Sequence, residues 1–183
     1  KNGLQNNINI YVKNLIVSGK NDEDYNSSIN TDLVSILELS SALPMIKNND
    51  NFINYLEPKI SIRYNPSNMI NHSKTNRKIN NNNLFDINRL GLEDTLESGA
   101  NLTLGIDYKK ENLNDINKYF EFKLGTIIRN KDNQNIPVSS GIKDKNSNIF
   151  GNIAKNFNEN LAINYDFSIN SSLDLIEYNS LSF

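Results

Sequence analysis

Asn83-Leu84-Phe85-Asp86-Ile87-Asn88-Arg89-Leu90-Gly91-Leu92-Glu93-Asp94-Thr95-Leu96-Glu97-Ser98-Gly99 leads, through Ala100 and Asn101, into Leu102-Thr103-Leu104-Gly105-Ile106-Asp107-Tyr108. The second segment alternates without a break. Successive side chains of a strand point to opposite faces, so Leu102, Leu104, Ile106 and Tyr108 fall on one side and Thr103, Gly105 and Asp107 on the other. The first segment keeps neither a strand's period nor a helix's, and its charges and glycines mark a loop. A charged loop that feeds a strand with one apolar and one polar face is the pattern expected of a β-barrel wall.

The same design recurs along the chain. Over 160–169, Leu161, Ile163, Tyr165, Phe167 and Ile169 oppose Ala162, Asn164, Asp166 and Ser168. Over 119–129, Phe120, Phe122, Leu124 and Ile128 oppose Tyr119, Glu121, Lys123, Gly125 and Arg129. Further strands are expected over 7–17, 31–43, 53–64, 148–155 and 172–183, with less regular alternation. Spacing at i, i+3, i+4 and i+7 with helix caps is scarce. The expected fold class is therefore all-β, an antiparallel transmembrane β-barrel represented in part by roughly eight strands, each near the ~9–11 residues of a tilted crossing. Leu102, Leu104, Ile106, Phe120, Phe122, Leu124, Leu161, Ile163 and Phe167 are the residues expected to face lipid. Tyr55, Tyr64, Tyr108 and Tyr119, near strand ends, suit an interfacial aromatic girdle.

Composition sets limits on this reading. The mean hydropathy of -0.56 and the apolar fraction of 37% resemble a soluble domain, but a barrel hides its apolar residues on alternate positions of short strands. No run approaches the ~20 apolar residues of a membrane helix. A net charge of -2 offers no basic footprint for nucleic acid. Cysteine is absent, which removes disulfides and Cys-based metal sites from consideration. Asparagine makes up about a fifth of the chain, far above ordinary usage; runs such as Asn80 to Asn83 are read as compositional bias and not as a functional low-complexity segment. The chain opens at Lys1 without the charged and apolar regions of a signal peptide, and all of residues 1–183 are read as part of one barrel domain of a longer protein.

Connection lengths add orientation, because bacterial barrels pair short periplasmic turns with long extracellular loops. The connections near 65–100 and 130–147 are long, and those near 111–117 and 156–159 are short. The connection at Asn170-Ser171 departs from this alternation, since its place in the order calls for a long loop.

The Asn83 to Gly99 stretch resembles the NLF…NR…D…E-G signature of the LptD family of outer-membrane lipopolysaccharide-assembly proteins. Two other segments are similar to the same family: Tyr55-Leu56-Glu57-Pro58 followed by Ile60, Ile62, Tyr64 and Pro66, and Leu124-Gly125-Thr126-Ile127-Ile128-Arg129 followed by Pro137, Ser140-Gly141-Ile142 and Ser147-Asn148-Ile149-Phe150-Gly151. Thr95 replaces a usual arginine, Gly91 sits one place early and Asn148 replaces a usual aspartate. The resemblance implies lipopolysaccharide transport and insertion at the outer leaflet of a Gram-negative outer membrane. It also implies an LptE-like lipoprotein plug, a periplasmic LptA-like bridge and an inner-membrane ATPase as energy source. The family's periplasmic jelly-roll domain is not in this stretch.

Candidate site residues follow from the resemblance: Asn83, Phe85, Arg89, Glu93, Asp94, Glu97 and Gly99 as a charged network folded into the lumen, with Gly91 and Gly99 at turns of positive φ. His72, the only histidine, stands in a polar context without a second ligand and is read as a loop residue. The acids Asp22-Glu23-Asp24 and Glu93-Asp94 are read as solvated, and no G-x-S-x-G elbow occurs. No enzyme, cofactor or metal site is expected. Two alternatives share these patterns: another outer-membrane barrel, such as a porin or receptor-type transporter, and a soluble β-sandwich whose apolar faces meet each other. In a barrel, Leu104→Arg is expected to be costly and Thr103→Arg milder.

Overall fold

A computed structural model describes residues 3–20 and 27–183; the Asp22-Glu23-Asp24 acids lie outside the described residues. The strands are β1 (Gln5–Val17), β2 (Asn30–Ala42), β3 (Met45–Asn48), β4 (Phe52–Asn65), β5 (Gly99–Asn112), β6 (Tyr119–Arg129), β7 (Ile149–Asn158), β8 (Leu161–Ile169) and β9 (Ile176–Ser182). One 3₁₀ turn, Val138–Ser140, is the only helical element among the described residues. All pairings are antiparallel and follow the order β1-β2-β4-β5-β6-β7-β8-β9, with β3 also on β4. Among the described residues the sheet is not closed on itself, because β1 and β9 each have one neighbour.

β2 and β3 lie on one line along β4, with a break between them. Ala42 faces Lys59 and Met45 faces Leu56, so the register runs unshifted across Leu43-Pro44. The break has a chemical cause: Pro58 has no N–H to return, and its pairing with Leu43 keeps only the bond from Leu43 N to Pro58 O, 3.1 Å. Counting β2 and β3 as one, the roughly eight strands expected are present. Short turns gather at one end of the sheet, at 49–51, 113–118 and 159–160. At the other end lie the long connections 66–98 and 130–148. The short connection 170–175 is also at the loop end, and Asn170 explains it. Its side-chain oxygen accepts bonds from Asp174 N (3.2 Å) and Leu175 N (3.3 Å), while its own N donates to Leu175 O, and Leu173 takes φ 64°.

The two faces differ in kind. Residues 66–98 and 130–148 fold back over one face, burying Ser61, Arg63, Asn101, Thr103, Ile127, Arg129, Phe150 and Ser168. The apolar core lies between these loops and that covered face: Met69, Ile79, Leu84, Leu90, Leu92, Ile136 and Ile142 from the loops meet Ile127 and Phe150. A second cluster joins Leu96 to Leu15, Val34 and Ile36. The opposite face is bare. There Ile8 and Ile10 are 73% exposed, Ile62 is 50% and Leu37, Leu39, Ile60, Leu104 and Ile106 are also exposed. By register, Leu102, Leu104, Ile106, Phe120, Phe122, Leu124, Leu161, Ile163 and Phe167 all lie on this bare face. Thus the apolar side of the strands is not the side that packs.

Candidate functional site

The covered face carries the polar architecture, and its anchor is a pair of glycines. Gly105 and Gly125 are direct partners across β5 and β6, which leaves a bare patch of backbone into which consecutive loop residues settle. A Cβ at Gly125 would stand 2.3 Å from Leu84 Cδ2, and one at Gly105 would stand 2.7 Å from Phe85 Cε2. The turn that presents Leu84 is built by asparagines: Asn83 Oδ1 accepts from Asn80 N at 2.9 Å, and Leu84 N donates to Asn80 O at 3.0 Å. Asparagine suits such turns because its short amide mimics a backbone group.

Five residues beyond Leu84, Arg89 is buried, and each of its five N–H groups has an acceptor. Nε and Nη2 grip Glu97 at 2.6 and 2.7 Å; Nη1 donates to Leu84 O at 3.0 Å and Thr103 Oγ1 at 2.9 Å; Nη2 also donates to Asn101 Oδ1 at 2.8 Å. Such a bidentate fork is the strongest common form of arginine–carboxylate contact. Glu97 also accepts from Asn101 Nδ2 at 3.0 Å and from Arg129 Nη2. Arg129 Nε donates to Ile142 O at 2.7 Å, so Glu97 ties the two loops and the sheet together. Burial alone would raise the Glu97 carboxyl; the guanidinium groups of Arg89 and Arg129 prevail and hold it at about 2. A second buried pair, Arg63 with Glu38, stands alongside, and Arg63 donates to the carbonyls of Phe85 and Asp86.

The remaining expected site residues are distributed differently. Phe85 also lies under Lys59, whose Nζ is 4.9 Å from its ring centroid. Glu93 is exposed and its carbonyl accepts from Lys13 Nζ at 2.9 Å. Asp94 lies 2.9 Å from His72 Nε2, linking two points of the same loop. Gly91 and Gly99 have φ of 61° and 88°. Asn83 supports its turn, its side chain accepting from Asn80 N and donating to Lys78 O. Of the expected network, then, the structure brings Arg89 and Glu97 together and adds Arg63, Arg129, Glu38, Asn101 and Thr103. Arg63 and Arg129 carried a usable signal: each is the last charged residue on the polar side of a strand that runs into a long loop.

Toward the turn end the covered face is a ladder of charges. Lys59 meets Asp107 at 2.8 Å, Lys109 meets Glu111 at 2.7 Å and Lys123 meets Glu121 at 3.5 Å. At the loop end, a cleft of about 450 Å³ opens between the loops, lined by Tyr64, Asn65, Ser98, Asn130 and Asp132 among others. Among the described residues no group of three His, Asp or Glu side chains could hold a metal ion.

An all-antiparallel sheet with one bare apolar face and an opposite, more polar face covered by its own loops defines the class: a two-faced β-wall with its own loop filling. The family model LptD: LPS transport system D matches residues 12–183, nearly the whole chain, and the chain belongs to that family. The family serves lipopolysaccharide transport and outer-membrane assembly in Gram-negative bacteria. Comparison with curated proteins gave no match.

Proposed function

We propose that this chain is part of the wall of an outer-membrane β-barrel through which lipopolysaccharide reaches the cell surface. The bare face meets lipid, and the covered face lines the lumen. The observation that carries this reading is the contrast between faces. A soluble protein rarely leaves a continuous apolar surface of this extent open to water, whereas lipid requires it; the charged ladder opposite suits a water-filled interior. The loops 66–98 and 130–148 fill the loop-end half of that interior and are held there by the Arg89–Glu97–Arg129 cluster. Because every donor of Arg89 is engaged within the protein, the cluster serves as an anchor for the loops and not as a contact for substrate.

The wall acts passively and performs no chemistry. Sugar passes along the polar side while acyl chains leave toward the membrane. An LptE-like plug and an LptA-like bridge are the partners that membership of the family suggests. Absence of a second sheet over the bare face among the described residues disfavours the sandwich alternative.

Orientation is testable on intact cells with a membrane-impermeant thiol reagent. Gln134 and Asn114 are both exposed, at the loop end and the turn end respectively. Gln134→Cys should label and Asn114→Cys should not. Labelling of Asn114→Cys alone would reverse the proposed orientation, and equal labelling of both in the absence of lysis would remove the membrane from between them.

A further inference from the structure

At the turn end of the bare face the apolar surface gives way to cations and rings. Lys110 on β5 pairs with Phe120 on β6, and Phe120 pairs with Lys155 on β7, so one cross-strand row carries a phenylalanine between two lysines. Lys110 Nζ lies 4.2 Å from the ring centroid of Phe52, and Lys155 Nζ 5.6 Å from that of Phe157. On the covered side of β4, β5 and β6, Lys59, Lys109 and Lys123 are each paired with a carboxylate. Among the described residues, by contrast, neither Lys110 nor Lys155 has an acidic partner. The row borders a cavity of about 440 Å³.

A second cavity of about 250 Å³ lies higher on the same strands, lined by apolar residues that include Leu104, Ile106 and Ile149. Leu104 is six residues from Lys110 along β5, about 20 Å at the ordinary strand rise. With a barrel tilt near 45° this is roughly 14 Å of depth, about half of a hydrocarbon core. An uncompensated pair of cations therefore sits one leaflet's depth from an apolar groove on one continuous surface. That is the charge and shape complement of a phosphate joined to an acyl chain.

We propose that the Lys110–Phe120–Lys155 row and the groove above it form a binding site for a membrane phospholipid. The two ammonium groups take the headgroup phosphate, and an acyl chain lies along β5 and β6 into the groove. The inference rests on the proposed lipid-facing role of the bare face. In that orientation the row lies in the periplasmic leaflet. The rings keep the lysine stems at the interface, where aromatic residues and long cationic side chains are both favoured.

The test is native mass spectrometry of the full-length protein, purified in detergent, stripped of lipid and titrated with phosphatidylglycerol. The unsubstituted protein should retain the lipid, and Lys110→Gln/Lys155→Gln should bind it on the order of tenfold more weakly, two cationic contacts being lost. Lys109→Gln/Lys123→Gln, which removes the same charge from the other face, should bind as the unsubstituted protein does, and inorganic phosphate should not displace the lipid. Equal retention by Lys110→Gln/Lys155→Gln, equal loss in Lys109→Gln/Lys123→Gln, or displacement by phosphate would each overturn the proposal. Failure of the lipid-facing reading itself shows earlier and separately, as a protein that stays monodisperse without detergent.

Discussion

Leu84 sits directly on Gly125. The loop residue is fully buried and its Cδ2 occupies the space that a β-carbon on the strand residue would need, 2.3 Å away. This contact fixes where the 66–98 loop lands on β6, and Phe85 on Gly105 repeats it one strand over. Gly125→Ala should therefore lift the loop at a cost of about 1–3 kcal/mol from overpacking. Leu84→Ala should cost about 2–5 kcal/mol from the cavity it leaves. Limited proteolysis within 66–98, compared with the unsubstituted protein, reads both; unchanged cleavage in Gly125→Ala would mean the seat does not hold the loop.

Glu97→Gln should be the most damaging conservative change in the loops. It leaves Arg89 and Arg129 buried without their counter-charge, a loss of about 3–5 kcal/mol by the usual cost of breaking a buried pair. Glu93→Gln, four residues away and exposed, should change stability by less than about 0.5 kcal/mol. Urea unfolding of the two variants side by side separates them, and similar midpoints would show that the cluster is not an anchor.

The same carboxylate makes stability depend on acid. Its pKa of about 2 in the folded protein lies below the ordinary 4.5. Its contribution is thus fully present above about pH 4.5 and is lost as pH falls through 2, on the order of 3 kcal/mol in all. Unfolding midpoints of the unsubstituted protein should fall toward those of Glu97→Gln between pH 4.5 and 2. A constant gap over that window would contradict the assignment.

The strands were legible in the sequence because period 2 needs only local information: 119–129 is found at its expected bounds, and the alternating apolar positions named for β5, β6 and β8 fall on one face, with Ile127 the exception on the covered side. β1 is less regular since it is apolar on both sides; Ile8, Ile10 and Val12 are exposed, whereas Leu15 packs under Leu96. What the loops do was hidden, because their contacts are non-local and lack a period. Arg77 N reaches Ser139 Oγ across 62 residues, and Asn135 Nδ2 reaches Met69 O across 66. The burial of Thr103 argues, for this reason, against the expectation that Thr103→Arg would be the milder change. Thr103 is fully buried and accepts from Arg89 at 2.9 Å, so a second guanidinium has no room there; Lys123 in the charged ladder is the proper comparison.

The central claim is that the bare face meets lipid and the covered face does not. The chain contains no tryptophan, so an indole placed at Leu104 and, separately, at Lys123 reports on each face by difference from the unsubstituted protein in vesicles of lipids brominated near the chain ends. The account predicts strong quenching of the Leu104→Trp signal and little of the Lys123→Trp signal, with the order reversed for an aqueous quencher. Equal quenching at the two positions, or stronger bromine quenching at Lys123→Trp, would contradict it.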